Sequence, residues 1–172
     1  MKAYQVTEFS APLVEQEVPT PEPLGTEVLV RVVHAGVCHS DLHIHDGYYS
    51  LAGGAKLDLL ERGIRLPHNM GHELYGEVAA IGADVTGVSI GDRRLVYPWI
   101  GCGQCGACLA GNENVCIAPR SIGVFTPGAY ADYCLVPNEK YLVDIGDLDP
   151  LVATPYSCSG VTVYSAISKA LP

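Results

Sequence analysis

Apolar residues gather along this chain in short runs, many of them β-branched, separated by glycine, proline and aspartate. Residues 3–7 and 27–37 read as strands, the second valine-rich and approached through Pro19, Pro21 and Pro23. Residues 74–81 form another apolar run, closed by Gly82-Ala83-Asp84, and 93–97, 130–136 and 141–143 are shorter strands of the same kind. Many short strands between turn residues predict a mainly β fold, a small barrel or sandwich. The pattern also predicts a helix over 52–65, although Gly53-Gly54 stands near its start. A second helix is predicted over 159–171, stopped by Pro172. There is no internal repeat and no low-complexity tract.

Composition narrows the function classes. At 172 residues, 48% hydrophobic and 17% charged, the chain is a turn-rich globular domain that can bury a core without staples. A formal charge of −9 repels phosphate backbones and argues against a nucleic-acid partner. No stretch is apolar for the roughly 18 residues a membrane helix needs. Residues 1–8 lack the apolar block of an export signal, so the expectation is a cytoplasmic protein. Seven cysteines in that setting stay reduced and point to metal or catalysis before disulfides, and their odd number agrees.

The strongest motif is Cys102, Cys105, Cys108 and Cys116, spaced C-x2-C-x2-C-x7-C among glycines 101, 103, 106 and 111. Two residues between thiolates let one turn present both sulfurs to one ion, and four thiolates close a tetrahedral zinc site without an open position. That makes the site structural. An iron–sulfur cluster is the rival, but ferredoxin-type runs continue with a shorter gap and a proline after the fourth cysteine, whereas Ile117 stands here. Two other matches fail their context. Gly101 to Gly106 spells G-x-G-x-x-G, but metal-directed cysteines fill it and no helix can open there. Gly87-Val88-Ser89-Ile90-Gly91 spells G-x-S-x-G, yet Asp92 and a strand follow, which makes Ser89 a turn residue.

Other residues are ambiguous taken singly. Gly71-His72-Glu73 precedes a strand, but Gly76 stands where a second zinc-binding histidine would belong. Cys38, just past the 27–37 strand, and Cys158, before the last helix, could each be a ligand or a small buried residue.

Together, the motifs resemble those of the zinc-dependent medium-chain alcohol dehydrogenases. The run Gly71-His72-Glu73-Leu74-Tyr75-Gly76 through Gly82 to Val85 fits that family's signature, and Cys38-His39-Ser40-Asp41, the four-cysteine loop, Gly91-Asp92 and Cys158 with 160–164 follow in its order. The resemblance implies a GroES-like partial barrel with a zinc-binding lobe over 1–157, and over 158–172 the start of a helix leading to a dinucleotide-binding domain not contained in these residues. It implies two zinc ions. Cys38, His72 and Cys158 match catalytic-zinc ligands, with Glu73 able to approach the metal. Asp41 matches the acceptor that orients the ligand histidine, Ser40 the hydroxyl that takes the substrate's proton, and His43 the relay onward. His39 and Thr162 fall where the family touches NAD or NADP, and Tyr48, Tyr49 and Trp99 near its substrate pocket, where plain core is the alternative.

The implied reaction is reversible oxidation of a primary or secondary alcohol to an aldehyde or ketone, with hydride passing to NAD(P). Zinc lowers the pKa of water from 15.7 to about 7, and a comparable shift on an alcohol is worth roughly 12 kcal/mol at 1.36 kcal/mol per unit. A polyol or amino-alcohol dehydrogenase of the same family and a non-catalytic zinc module are the alternatives. The resemblance also implies a homo-oligomer, dimer or tetramer, and little dehydrogenase activity from these residues without the dinucleotide domain. Cys134, His34, His45 and His68 read as structural, and the long 50–65 segment as a shaper of the substrate entrance.

Overall fold

A computed structural model describes residues 1–171. In chain order the elements are β1 (Lys2–Gln5), β2 (Val14–Glu17), β3 (Val28–Gly36), α1 (His39–Asp46), β4 (Tyr48–Ser50), β5 (Lys56–Asp58), β6 (Glu73–Ile81), β7 (Arg93–Val96), α2 (Gly106–Leu109), β8 (Tyr133–Val136), β9 (Leu142–Val143), α3 (Pro150–Ala153) and α4 (Ser159–Ala170). Strands β8, β3, β6, β7 and β9 lie side by side in one antiparallel sheet. The β1–β2 ribbon joins its margin through the Ala3–Ala131 bridge, and β4–β5 is a separate hairpin. This is the mainly β, GroES-like arrangement with few helices that the sequence implies.

The six runs predicted as strands hold the five strands of the main sheet and β1, with ends shifted by up to three residues. The sheet's inner face carries Val28, Val30, Leu74, Val78, Val96, Cys134 and Val136, all nearly or fully buried. At about 1.5–3 kcal/mol per fully buried side chain, this face is the main stabilising surface. A smaller core of Val6, Ile44, Leu59, Ile64 and Met70 seats α1 against the β4–β5 loop region. Gly76 sits where β6 crosses β3, and a Cβ there would stand 2.3 Å from the Arg31 carbonyl oxygen. That contact explains why no side chain occupies the position.

The expected helix over 52–65 does not form. Gly53 and Gly54 take left-handed φ angles of 73° and 79°, which break the chain after the short 3-10 turn Ala52–Gly54. Lys56–Asp58 then pairs with Tyr48–Ser50, and the Asp58 carboxylate accepts the Leu60 N–H at 2.7 Å to set the next turn. Conversely, α1, the strands β2, β4 and β5 and the one-turn helices α2 and α3 are not expected from the sequence; α2 opens at Gly106 with Cys105 as its cap, against the expectation that metal-directed cysteines keep a helix from opening there. The predicted last helix is present as α4; Pro172, expected to stop it, lies outside the described residues. Among the described residues, no helix is long and apolar enough to cross a membrane.

Candidate functional site

Three segments deliver three ligand atoms to one point. Cys38 follows β3 and caps α1, His72 immediately precedes β6, and Cys158 sits between the 3-10 turn Thr154–Ser157 and α4. Their ligand atoms all lie within 4.8 Å of one another, with the two sulfurs 4.0 Å apart. The cap on α1 is a capping box: the Asp41 carboxylate accepts the Cys38 N–H at 2.9 Å and fixes the turn that carries the thiol.

Asp41 is 1% exposed and organises the rest of the cluster. Its Oδ1 faces Nδ1 of His72 at 3.2 Å and accepts the Gly71 N–H, while Oδ2 accepts the Tyr130 hydroxyl at 3.2 Å. Nδ1 is thereby committed to Asp41. Nε2 of His72 is buried and has no hydrogen-bond partner among the described residues. An orphaned ring nitrogen beside two thiols is costly unless an ion completes it, and one imidazole with two thiols is a zinc-type donor set. The residues fit the metal.

Charge in the metal-free cluster follows the same contacts. Burial opposes protonation of His72, but Asp41 and the Cys158 sulfur outweigh it and raise its pKa to about 11. Burial pushes the Cys158 thiol up; for Cys38 burial is overcome by the Ser40 backbone N–H and His72, which hold its thiol below the ordinary value. Burial, followed by the Asp41 charge, raises the Tyr130 phenol and keeps it a donor.

Glu73 is buried but stands outside this three-atom cluster: its Oε1 accepts both the N–H and the hydroxyl of Ser159. Ser40, Tyr49, His72 and Trp99 line one cavity of about 190 Å³, with Leu57 and Leu59 of the 50–65 segment on its wall. His43 lies against Tyr49, ring centres 4.6 Å apart, and against His39 at 4.8 Å. Thr162 faces a second cleft, which shares Trp99 and Asn114 with the first cavity.

The second cluster is the four-cysteine loop around α2. Bonds of about 2.3 Å to a tetrahedral ion put sulfurs about 3.8 Å apart. The observed separations are 3.5 Å for Cys105–Cys108, 3.8 Å for Cys105–Cys116 and 4.0 Å for Cys102–Cys108. Backbone N–H groups of Gln104 and Cys105 point at Cys102 Sγ, and those of Cys102 and Ala118 at Cys116 Sγ. The Cys108 backbone N–H leads the contacts that lower the Cys105 thiol to about 6. Backbone N–H groups lower Cys102 as well, whereas burial raises the Cys108 thiol to about 12, so in the metal-free loop the pattern favours thiolates at Cys102 and Cys105 and a thiol at Cys108. The seventh cysteine, Cys134, is 2% exposed in the core, and burial alone raises its thiol to about 12.

Three participants escaped the sequence reading. In the sequence Tyr130 is only part of a strand run, Ser159 only the start of a helix, and Glu113 carries no signal. Glu113 is held at about 2 by Lys140 first and Tyr141 second. Only Asp41 three residues after Cys38, the acid of a capping box, signalled the unexpected α1.

Fold and site together define a GroES-like domain that carries two side-chain groups able to hold a metal ion. The family model described as the alcohol dehydrogenase GroES-like domain matches residues 25–147. A curated NAD-dependent alcohol dehydrogenase of Sulfurisphaera tokodaii is 41% identical over 170 residues, 99% of this chain and 48% of that protein. The D-arabinose 1-dehydrogenase (NADP(+)) of Saccharolobus solfataricus is 36% identical over 171 residues, 99% of this chain and 46% of its own length. Among solved structures, the D-arabinose dehydrogenase from Sulfolobus solfataricus superposes with a TM-score of 0.83 at 34% identity, over 99% of this chain and 48% of that one. The chain therefore belongs to the zinc-type medium-chain alcohol dehydrogenase family. It spans about half the length of the curated relatives it matches.

Proposed function

We propose that the chain is the catalytic domain of a zinc-dependent alcohol dehydrogenase that interconverts a primary or secondary alcohol with its aldehyde or ketone, NAD(P) taking the hydride. The observation that carries this reading is the orphaned, buried Nε2 of His72, gathered with two thiols, in a residue that lines the same cavity as Ser40. Cys38, His72 and Cys158 would hold a catalytic zinc, whose Lewis acidity favours loss of the alcohol's proton. Cys102, Cys105, Cys108 and Cys116 would hold a second, structural zinc.

The protein's own groups divide the remaining work. Asp41 fixes the His72 tautomer so that Nε2 faces the site. Ser40 Oγ accepts the substrate proton, and His43, three residues on along α1, passes it toward solvent. Tyr49 and Trp99 exclude water from the cavity. His39 and Thr162 would contact the dinucleotide. Glu73, engaged by Ser159, is a reserve carboxylate close to the ligands rather than one of them. On this reading 1–157 form the catalytic domain and 158–172 begin the link to the dinucleotide-binding part.

Leu57, Leu59, Val124 and Phe125 make much of the cavity wall apolar, beside the polar Arg62, Glu113, Asn114 and Ser121, and the apolar share favours a simple alcohol over a polyol or amino alcohol. A non-catalytic zinc module has no use for a three-ligand set opening onto a cavity. The test is metal content after anaerobic desalting, in the chain and in its Cys158→Ala variant. Two zinc falling to one supports the reading; iron, or an unchanged count in the variant, refutes it.

A further inference from the structure

The four-cysteine loop is not remote from the substrate cavity. Glu113, Asn114, Cys116 and Pro119 of this loop line the same cavity as Ser40 and His72. We propose that Glu113 is a positioning residue that fastens the four-cysteine loop to the main sheet and so holds one wall of that cavity in place. The proposal rests on the metal assignments above.

A single carboxylate makes the fastening. Glu113 lies between Cys108 and Cys116, and its Oε2 accepts the backbone N–H of Gly101, just before Cys102, at 3.0 Å. It therefore ties together the two ends of the metal-binding loop. The same oxygen accepts the Tyr141 hydroxyl at 2.5 Å, and Oε1 accepts Lys140 Nζ at 2.6 Å. Lys140 and Tyr141 belong to the turn that leads into β9, an edge strand of the main sheet. The Lys140 ammonium also lies 4.8 Å from the centre of the Tyr141 ring, so both partners of the carboxylate are themselves held.

The fastening continues toward the cavity. The Tyr141 carbonyl accepts the N–H of Tyr97 at 2.8 Å, two residues before Trp99. Loop packing leaves no slack at the other end: a Cβ on Gly101 would stand 2.5 Å from Cys108 Sγ and 3.1 Å from Glu113 Cβ. The Glu113 side chain is only 19% exposed, which shelters its bonds to the Gly101 N–H and the Tyr141 hydroxyl, while the Lys140 side chain is 56% exposed and its ion pair is screened by water. Removing the carboxylate would leave the part-buried Gly101 N–H and Tyr141 hydroxyl without their acceptor at once, while the exposed Lys140 ammonium would turn to water.

The experiment uses the zinc-loaded chain and its Glu113→Ala, Glu113→Gln and Tyr141→Phe variants. One readout is zinc release to 4-(2-pyridylazo)resorcinol; the other is acrylamide quenching of Trp99, the chain's only tryptophan. For Glu113→Ala, one of the two zinc equivalents should leave at least about tenfold faster, as expected for loss of a charge-assisted hydrogen bond, while the other keeps its rate. Trp99 quenching should rise in parallel. Glu113→Gln, which keeps an acceptor oxygen of the same shape, should return release to within about threefold of the parent. Equal acceleration of both zincs, or a Gln variant no better than Ala, would mean general destabilisation and overturns the proposal. If Glu113→Ala does not fold, Tyr141→Phe decides: faster release of one zinc supports it and parental kinetics overturns it. A parent chain that holds no zinc at the four cysteines instead defeats the metal assignment, and a parent that holds it with no response to any variant defeats only the role of Glu113.

Discussion

Asp41 and His72 meet carboxylate to imidazole at 3.2 Å, both almost wholly buried, and this pair determines which ring nitrogen of His72 is free to bind. The carboxylate is shared with the Cys38 N–H, the Gly71 N–H and the Tyr130 hydroxyl, so His72 orientation and Cys38 placement depend on one side chain.

Asp41→Asn keeps the shape and loses the charge. Zinc affinity at the Cys38–His72–Cys158 site should fall about 10–100-fold, while zinc in the four-cysteine loop stays bound. Chelator competition on the purified variant measures both, and equal affinities for parent and variant would refute the orienting role.

Zinc loading should release protons. The pKa of His72 in the metal-free fold, about 11, stands above its ordinary 6.5. A protonated His72 therefore stabilises the metal-free fold fully below pH 6.5, and that contribution is lost as pH rises through about 11. Zinc must displace this proton and that of the raised Cys158 thiol. At pH 7 the three-ligand site should release at least two protons per zinc, and its affinity should climb with pH. Calorimetry in two buffers of different ionisation enthalpy gives the number; a release near zero contradicts the assignment.

Cys134 should be dispensable for metal. Cys134→Ala should keep the parental zinc content and cost about 1–2 kcal/mol of stability, as a small cavity in the sheet core does. Loss of a zinc equivalent in this variant would show that Cys134 belongs to a ligand set.

Gly76→Ala should be severe, because its Cβ would meet the Arg31 carbonyl oxygen at 2.3 Å. The expected cost is about 1–3 kcal/mol or more, read as a lowered denaturant midpoint. A variant as stable as the parent would mean that β3 and β6 can separate without strain.

The strands were legible because Val28, Val30, Val78 and Val136 combine β propensity with burial, so local preference and tertiary need agree. The four-cysteine loop was legible because its ligands are close in sequence and their spacing carries the geometry. Cys38, His72 and Cys158 were separable from ordinary buried residues only through family resemblance, since the chain brings them together from three distant segments. Helix α1 was missed because Cys38 occupies the cap where serine, threonine, aspartate or asparagine usually stands. Segment 52–65 was misread because two left-handed glycines and a hairpin partner outweigh its helix-forming side chains. Tyr130, Ser159 and Glu113 act across 89, 86 and up to 28 residues of separation, which no local pattern encodes.

Helix α4 has no buried residue, and Val163, Tyr164 and Ile167 turn 52–73% of their surface to water. Such a patch is adhesive. Purified as these residues alone, the protein should behave as a concentration-dependent self-associating colloid despite its charge of −9, with light scattering that rises with ionic strength as salt screens the repulsion holding the copies apart.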